Sequence, residues 1–555
     1  AADGSESRNV AIGYAALATM NNDASNYNTA VGYAAGFNIT TGADNTIVGG
    51  LAGDSLTTGG LNVAVGKAAL STEDTGSASV AVGHAALMNQ NVDGSVYNTA
   101  VGHNAGTSVT TGTENTIIGG LAGDALTTGE DNTALGYNAL TNAQEDGRNT
   151  AIGRGALAGQ NGAGTAYNTA LGYNAGGAVT TAARNTLIGG LSGDAITTGG
   201  DNVTLGYNTL SSNTIGNSNV AIGKDAMLQN VAADRNVAVG LGSLQNMTSA
   251  TTTDSYNVGV GYASGGSITS GSGNNLIGGL AGDAITTGSE NTALGRSALG
   301  AEVEGGRNIA IGHRSLASQN TTSFAYNLAV GYNAGVNITT GTLNTIVGSN
   351  AGDALTTAAH NTVLGYQALS AEDTDGFNTA IGFQTLLVQD GASLNTAVGY
   401  KAGDSVTDGG NNTLIGGNAG DAITSGVNNV CVGQGSGKVL TTGNNNVYIG
   451  RDIDASASGA TNEISIGEAS VGNGNNTVTL GNSSVSGLHC QVNSISALSD
   501  KRDKTNIENS EYGLNIIENL KPVIFEWDQR DGNRKGLKDV GFIAQDLQEV
   551  DDEYT

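Results

Sequence analysis

Asn28-Thr29-Ala30-Val31-Gly32 is followed by Asn45-Thr46-Ile47-Val48-Gly49 and then by Asn62-Val63-Ala64-Val65-Gly66. This unit, Asn-x-Ala/Ile-Val/Ile/Leu-Gly, returns along the chain, with its glycine at Gly13, Gly32, Gly49, Gly66, Gly83, Gly102 and onward to Gly450, Gly467 and Gly481. Of the 27 intervals between successive glycines, 21 are 17 residues long. So constant a period makes each unit one coil of a solenoid laid on its predecessor. The predicted fold is all-β: a repetitive parallel β-solenoid or β-roll rod of about 28 coils over residues 1–481. A connecting segment at 482–498 and a small, partly helical α+β segment at 499–555 follow.

Composition separates the same two regions. Gly accounts for 88 of 555 residues and aromatics for 4%, while the only Pro (Pro522) and the only Trp (Trp527) both lie in the last 57 residues. Up to Leu498 the chain is dominated by Thr, Asn, Ser, Val, Ile and Ala, a palette suited to short strands joined at tight corners. Collagen is excluded because Gly has no three-residue period and Pro is absent from the repeats. Disorder is disfavoured because the apolar residues keep strict register.

A net charge of -28 argues against a nucleic-acid partner, which calls for a basic stripe to displace counterions. It suits solubility and mutual repulsion between rods. Cys431 and Cys490 define no disulfide framework and read as small buried residues. No apolar run is long enough to span a bilayer, so no membrane insertion is expected. The chain opens Ala1-Ala2-Asp3-Gly4 without a signal peptide, and an attachment region beyond this sequence is expected.

Within each unit the residue before the glycine (Ile12, Val31, Val48, Val65) is expected to point into a continuous core. The residue before that is usually Ala and sometimes large (Ile47, Ile117, Leu187). Apolar residues at adjacent strand positions imply burial on both faces, one in the coil's own core and one against a neighbouring chain around a shared axis. The Asn four residues before the glycine (Asn9, Asn28, Asn45, Asn62, Asn98) recurs in 25 of the first 26 units, Ser79 being the exception. Stacked coils place these amides in a structural ladder in which each side chain bonds the next.

Four coils make a block of about 70 residues, seen from Gly32 to Gly102 to Gly172. Longer connections end at Tyr27, Tyr97, Tyr167, Tyr256 and Tyr326, and insertions in solenoids go to external loops. These loops are candidate surface-contact sites for glycans, with tolerated corner decoration as the plainer reading. Asp54, Asp124, Asp194, Asp283 and Asp353 recur in Ala/Ser-Gly-Asp turns. They lack the multi-carboxylate set of a calcium site and read as turn residues bonding backbone N–H groups. No metal and no cofactor is expected.

At ~4.8 Å per coil the rod would reach about 130 Å, a useful spacer. Its unit resembles the head repeats of trimeric autotransporter adhesins, most closely at Asn219-Val220-Ala221-Ile222-Gly223. That resemblance implies a left-handed parallel β-roll in a trimer, although the 17-residue coil is longer than is usual there.

Beyond Leu498 the succession Ser499-Asp500-Lys501-Arg502-Asp503-Lys504-Thr505-Asn506-Ile507, Tyr512-Gly513-Leu514, Leu520-Lys521-Pro522, Phe525-Glu526-Trp527 and Val540-Gly541-Phe542-Ile543-Ala544-Gln545-Asp546-Leu547 changes character. It resembles the intramolecular chaperone of phage tail spikes and fibres, the peptidase S74 family, of which it is expected to cover only part. The resemblance implies trimerisation, registration of the preceding β-rod and self-cleavage. Carried over by position, Ser499 is the nucleophile, Lys504 the base, and cleavage falls after Leu498.

The expected function is a structural, homotrimeric fibre of a virion: a phage tail fibre serving as rigid spacer and in attachment to a host-surface glycan or receptor. Other fibre or virion proteins would dock at its N-terminal side. The alternative is a bacterial surface adhesin or extracellular filament. A capsule-degrading enzyme would need paired carboxylates in a cleft, which isolated turn Asp residues do not supply.

Overall fold

A computed structural model describes residues 8–21, 25–249, 251–489, 505, 518–526, 536, 538–544 and 546–547. The chain divides into two compact units, Ala1–Ser484 and Val485–Thr555.

The first unit is a parallel β-solenoid whose large sheet has 28 strands among the described residues, each three residues long and one per coil. Neighbours pair in strict register: Thr29 with Thr46, Ala30 with Ile47, Val31 with Val48. β-Branched residues at the strand ends favour this extended backbone. Outside the strands the inter-coil hydrogen bonds continue, as from Leu17 N–H to the Ala35 carbonyl (3.1 Å) and from Thr40 N–H to the Thr57 carbonyl (2.9 Å). The backbone of one coil is therefore satisfied by the next.

The unit's glycine is fixed by a close approach of backbones. At Gly119 φ is 137°, and a Cβ there would lie 2.5 Å from the Gly136 carbonyl oxygen. Any side chain would push consecutive coils apart.

The core consists of rows running along the solenoid, including Ala30, Ile47, Ala64 and Ala81 at the strand centres, and Ala35, Ala52, Ala69 and Ala86 after the turn. The strand-centre row corrects the sequence expectation. The inward position is the one two before the glycine, whereas Ile12, Val31, Val48 and Val65, just before it, are partly or largely exposed on the outer face. The expectation failed because adjacent apolar strand positions do not reveal which of the two faces the coil.

Large strand-centre residues serve the coil's own packing. Ile47 lies between Gly36 and Gly53, where an added Cβ would stand 3.2 Å from its Cδ1 in both cases. Leu187 lies likewise between Gly176 and Gly193. A bulky residue once per block fills the space left by two glycines, which keeps the interior close-packed.

In the second unit Val523–Glu526 pairs antiparallel with Lys538–Gly541, with Val523 opposite Gly541 and Glu526 opposite Lys538. Glu518, Asn519, Ala544, Asp546 and Leu547 are helical, and Leu547 N–H bonds the Ile543 carbonyl at 3.1 Å. Among the described residues no helix is long and apolar enough to cross a membrane.

Candidate functional site

The recurring asparagines form a buried column, but chiefly through backbone. Asn9 Oδ1 accepts the Asn28 N–H (2.8 Å), Asn28 Oδ1 the Asn45 N–H (2.9 Å), Asn45 Oδ1 the Asn62 N–H (3.0 Å) and Asn98 Oδ1 the Asn115 N–H (2.9 Å). The Nδ2 groups of Asn28, Asn45, Asn62 and Asn98 donate across the coil to the carbonyls of Gly42, Gly59, Gly76 and Gly112 at 2.7 to 3.0 Å. Direct amide-to-amide bonds, such as Asn45 Nδ2 to Asn28 Oδ1 (3.0 Å), are additional. Each amide thus ties its own coil shut and fastens it to a neighbour.

At Ser79, where the column lacks its amide, Gln90 takes over: its Nε2 donates to Ser79 Oγ and its Oε1 accepts from Asn98 Nδ2, both at 2.9 Å. The same Nε2 reaches the carboxylate of buried Glu73 (3.0 Å), which also accepts N–H bonds from Gly76 and Val92. This carboxylate and amide pairing recurs in other blocks as Asp146 with Gln160, Glu302 with Gln319 and Glu372 with Gln389, each at 2.9 Å. Burial pushes the carboxyls of Asp146 and Glu372 above their ordinary range against the pull of these hydrogen bonds. Sequence reasoning missed these groups; their signal was Glu followed by Gln 17 residues later, at Glu73 and Gln90, Glu302 and Gln319, and Glu372 and Gln389.

Tyr27, Tyr97, Tyr167, Tyr256 and Tyr326 all occupy left-handed corner positions immediately before a ladder asparagine, with φ from 49° to 55°. Each ring is half-exposed or more. Four of the five lie under an arginine of the preceding coil: Arg8, Arg148, Arg235 and Arg307. Arg307 also donates to Tyr326 Oη (2.7 Å) and Glu290 (2.8 Å) and stands 4.1 Å from the Phe324 ring centroid. Beside this cluster, an open depression of about 370 Å³ is lined by Thr287, Ser289, Glu304, Thr322, Ser323 and Phe324.

The turn aspartates vary in their bonding. Asp124 accepts from Thr141 Oγ1 of the next coil, while one carboxylate oxygen of Asp54, Asp194 and Asp353 is buried without a partner. Burial raises the carboxyls of Asp54, Asp194 and Asp283. Glu372, Asp373 and Asp390 bring carboxylate oxygens within 4.8 Å of one another, but those of Glu372 already accept from Asp375 N–H and Gln389.

Leu498, Ser499 and Lys504 lie outside the described residues, as does Cys490, whereas Cys431 is buried and its thiol is pushed up to about 12 by that burial. No curated protein and no solved structure matches the chain. Residues 499–555 match the family model described as the chaperone of endosialidase, peptidase S74, so this chain joins a parallel β-solenoid to a segment similar to that chaperone.

Proposed function

We propose that the chain is part of a homotrimeric phage tail fibre, in which the solenoid is a rigid spacer and the segment from Ser499 onward directs assembly. The match of residues 499–555 to the chaperone of endosialidase, directly after a solenoid of near-identical coils, carries this reading. Near-identical coils let three chains align one coil out of step at little energetic cost, and parallel β pairing is slow and leaves exposed edges. A clamp at one end of the repeats sets the register before they associate. The Thr287 to Phe324 depression, with hydroxyls, a carboxylate and an aromatic ring, offers groups of the kind that bind a host-surface glycan.

The proposed self-cleavage needs only the chain and water. Ser499 Oγ attacks the Leu498 carbonyl carbon while neutral Lys504 takes the hydroxyl proton. The bond to the Ser499 nitrogen breaks, that nitrogen receives the proton, and water hydrolyses the Leu498 ester to a carboxylate. Intact-mass measurement of the full chain beside Ser499→Ala and Lys504→Ala tests the step. Fragments ending at Leu498 in wild type alone support it; identical full-length masses in all three refute it.

A further inference from the structure

The outward face of the large sheet combines an absence of charge with an unbroken apolar row. Each strand presents its first and third residues on this face, and in none of the 28 strands is either residue charged. The third residue is Val, Ile or Leu in all of them. The chain's 21 basic and 49 acidic residues lie elsewhere, including the neighbouring corner row, where Arg148 pairs with Asp131, Arg184 with Asp201 and Arg307 with Glu290. Charge is therefore dense beside this face and absent from it.

The coil does not need this face for its own core. The strand-centre residues beneath it, such as Ala134, Ala170 and Ala293, are already fully buried. Leu135, Leu171, Leu205 and Leu294 on the face remain 42 to 47% exposed. The residue after the glycine borders the face with stacked rings, Tyr366 on Phe383 (5.6 Å) and Phe383 on Tyr400 (5.5 Å), and with cations such as Lys67 and Arg154. An uncharged centre with an aromatic and charged rim is the composition of an interface.

Twenty-eight strands at ~4.8 Å spacing, each presenting two outward residues ~7 Å apart, give a strip on the order of 1,000 Å² or more. The first outward residue is Thr or Asn in 15 of the strands and apolar in the rest, and a standard interface takes about 800 Å² from each partner. A partner covering the whole strip must be as long as the solenoid and repeat at the same pitch. A second copy of this chain meets both conditions and brings no charge into the contact, whatever the net charge of -28 does elsewhere.

We propose that this sheet face is the contact between copies of this chain, turned inward and in register around a common axis. The assignment rests on the fibre reading above and adds to it which surface is shared.

The test uses the full chain. Wild type is compared by light scattering with Leu135→Asp/Leu171→Asp/Leu205→Asp on the face and with Leu61→Asp on the exposed corner row. Wild type and Leu61→Asp are expected to give the same multiple of the chain mass, and the face variant to fall to a single chain with its β-sheet circular dichroism retained. Single cysteines serve if the triple variant fails to fold. In a Cys490→Ser background, Leu171→Cys is expected to form intermolecular disulfides on mild oxidation and Leu61→Cys is not. A monomeric wild type overturns the proposal together with the trimer; because the segment from Ser499 can hold a face variant together, the cysteine pair decides the face, and equal cross-linking from Leu171→Cys and Leu61→Cys overturns the face assignment alone. Neither result bears on cleavage, which the Ser499→Ala masses read separately.

Discussion

Removing the carboxylate of Glu302 should open one stretch of the solenoid and leave the rest intact. Glu302 is fully buried and accepts from Gly305 N–H (2.8 Å), Val303 N–H (3.1 Å), Thr321 N–H (3.1 Å), Thr321 Oγ1 (3.3 Å) and Gln319 Nε2 (2.9 Å). Glu302→Ala leaves at least three of these donors buried without an acceptor: Gly305 N–H, Thr321 N–H and the Gln319 amide. At about 1–3 kcal/mol for each unsatisfied group, partly offset by water entering the space, a net loss of about 3 kcal/mol is expected. Stability in a stacked-repeat protein is a sum of local and nearest-neighbour terms, so the loss should fall on the coils from Glu302 to Asn327. Hydrogen exchange followed by mass spectrometry reads it directly: about 3 kcal/mol corresponds to roughly hundred-fold faster exchange at Gly305 and Thr321. Glu302→Gln, which keeps one acceptor oxygen, should fall between. Unchanged exchange over residues 303–327 would refute the role given to the carboxylate, and equal acceleration around Glu73 would refute its local reach.

Gly119→Ala should lower thermal stability by about 3 kcal/mol or more, because it combines a forbidden φ with contact against the Gly136 carbonyl. Gly94→Ala, at φ 88° with open space around its Cβ position, is the milder comparison in the same melting experiment. Acid should loosen the coils around Glu463 first. Burial pushes this carboxyl up, but donors from Ser456, Gly474 and Tyr448 outweigh it and hold the group below its ordinary value. Its stabilisation is thus present above the unfolded value of about 4.3 and is lost as pH falls through the folded value. Asp146 and Glu372 are raised and behave oppositely, since protonation relieves their burial; from pH 7 down to about 3, protection referred to the intrinsic exchange rate at each pH should therefore fall near Ser456 and Gly474 and hold at Gly162 and Asp375.

The solenoid was legible in the sequence because one period governs it. Asn at 17-residue spacing fixes the coil length, and a Val, Ile or Leu beside a glycine marks each strand. Orientation was not legible. Ala30 and Val31 are both apolar, and only the Gly36, Ile47 and Gly53 contacts show that the strand centre faces inward. The buried carboxylates were hidden for another reason. Glu73 and Glu302 occur in polar-looking connections, and their partners Gln90 and Gln319 lie one full coil away, a separation invisible to local motif reading. Around Tyr27 and Tyr326 the aromatic residues could be seen, but not the Arg8 and Arg307 side chains that cover them.

The block of four coils has a physical use that a simple repeat would lack. In the row containing Ile268, Ile285, Glu302, Gln319, Ile338, Leu355, Glu372 and Gln389, two apolar residues alternate with a carboxylate and an amide. If one coil were looped out during folding, Gln319 would stack against Ile285 instead of Glu302, leaving its amide unpaired in an apolar row. A missing acceptor in that setting costs about 1–3 kcal/mol, and an unpaired carboxylate more. Single-coil errors within one chain are therefore penalised, whereas an error of a whole block restores every pairing and escapes. Nothing in the outward Val, Ile and Leu row provides a corresponding address between chains, because its residues are interchangeable in size and carry no polar groups. Interior chemistry can thus set the coil order of one chain but not the alignment of three, and that remaining task is the one proposed for the segment beginning at Ser499.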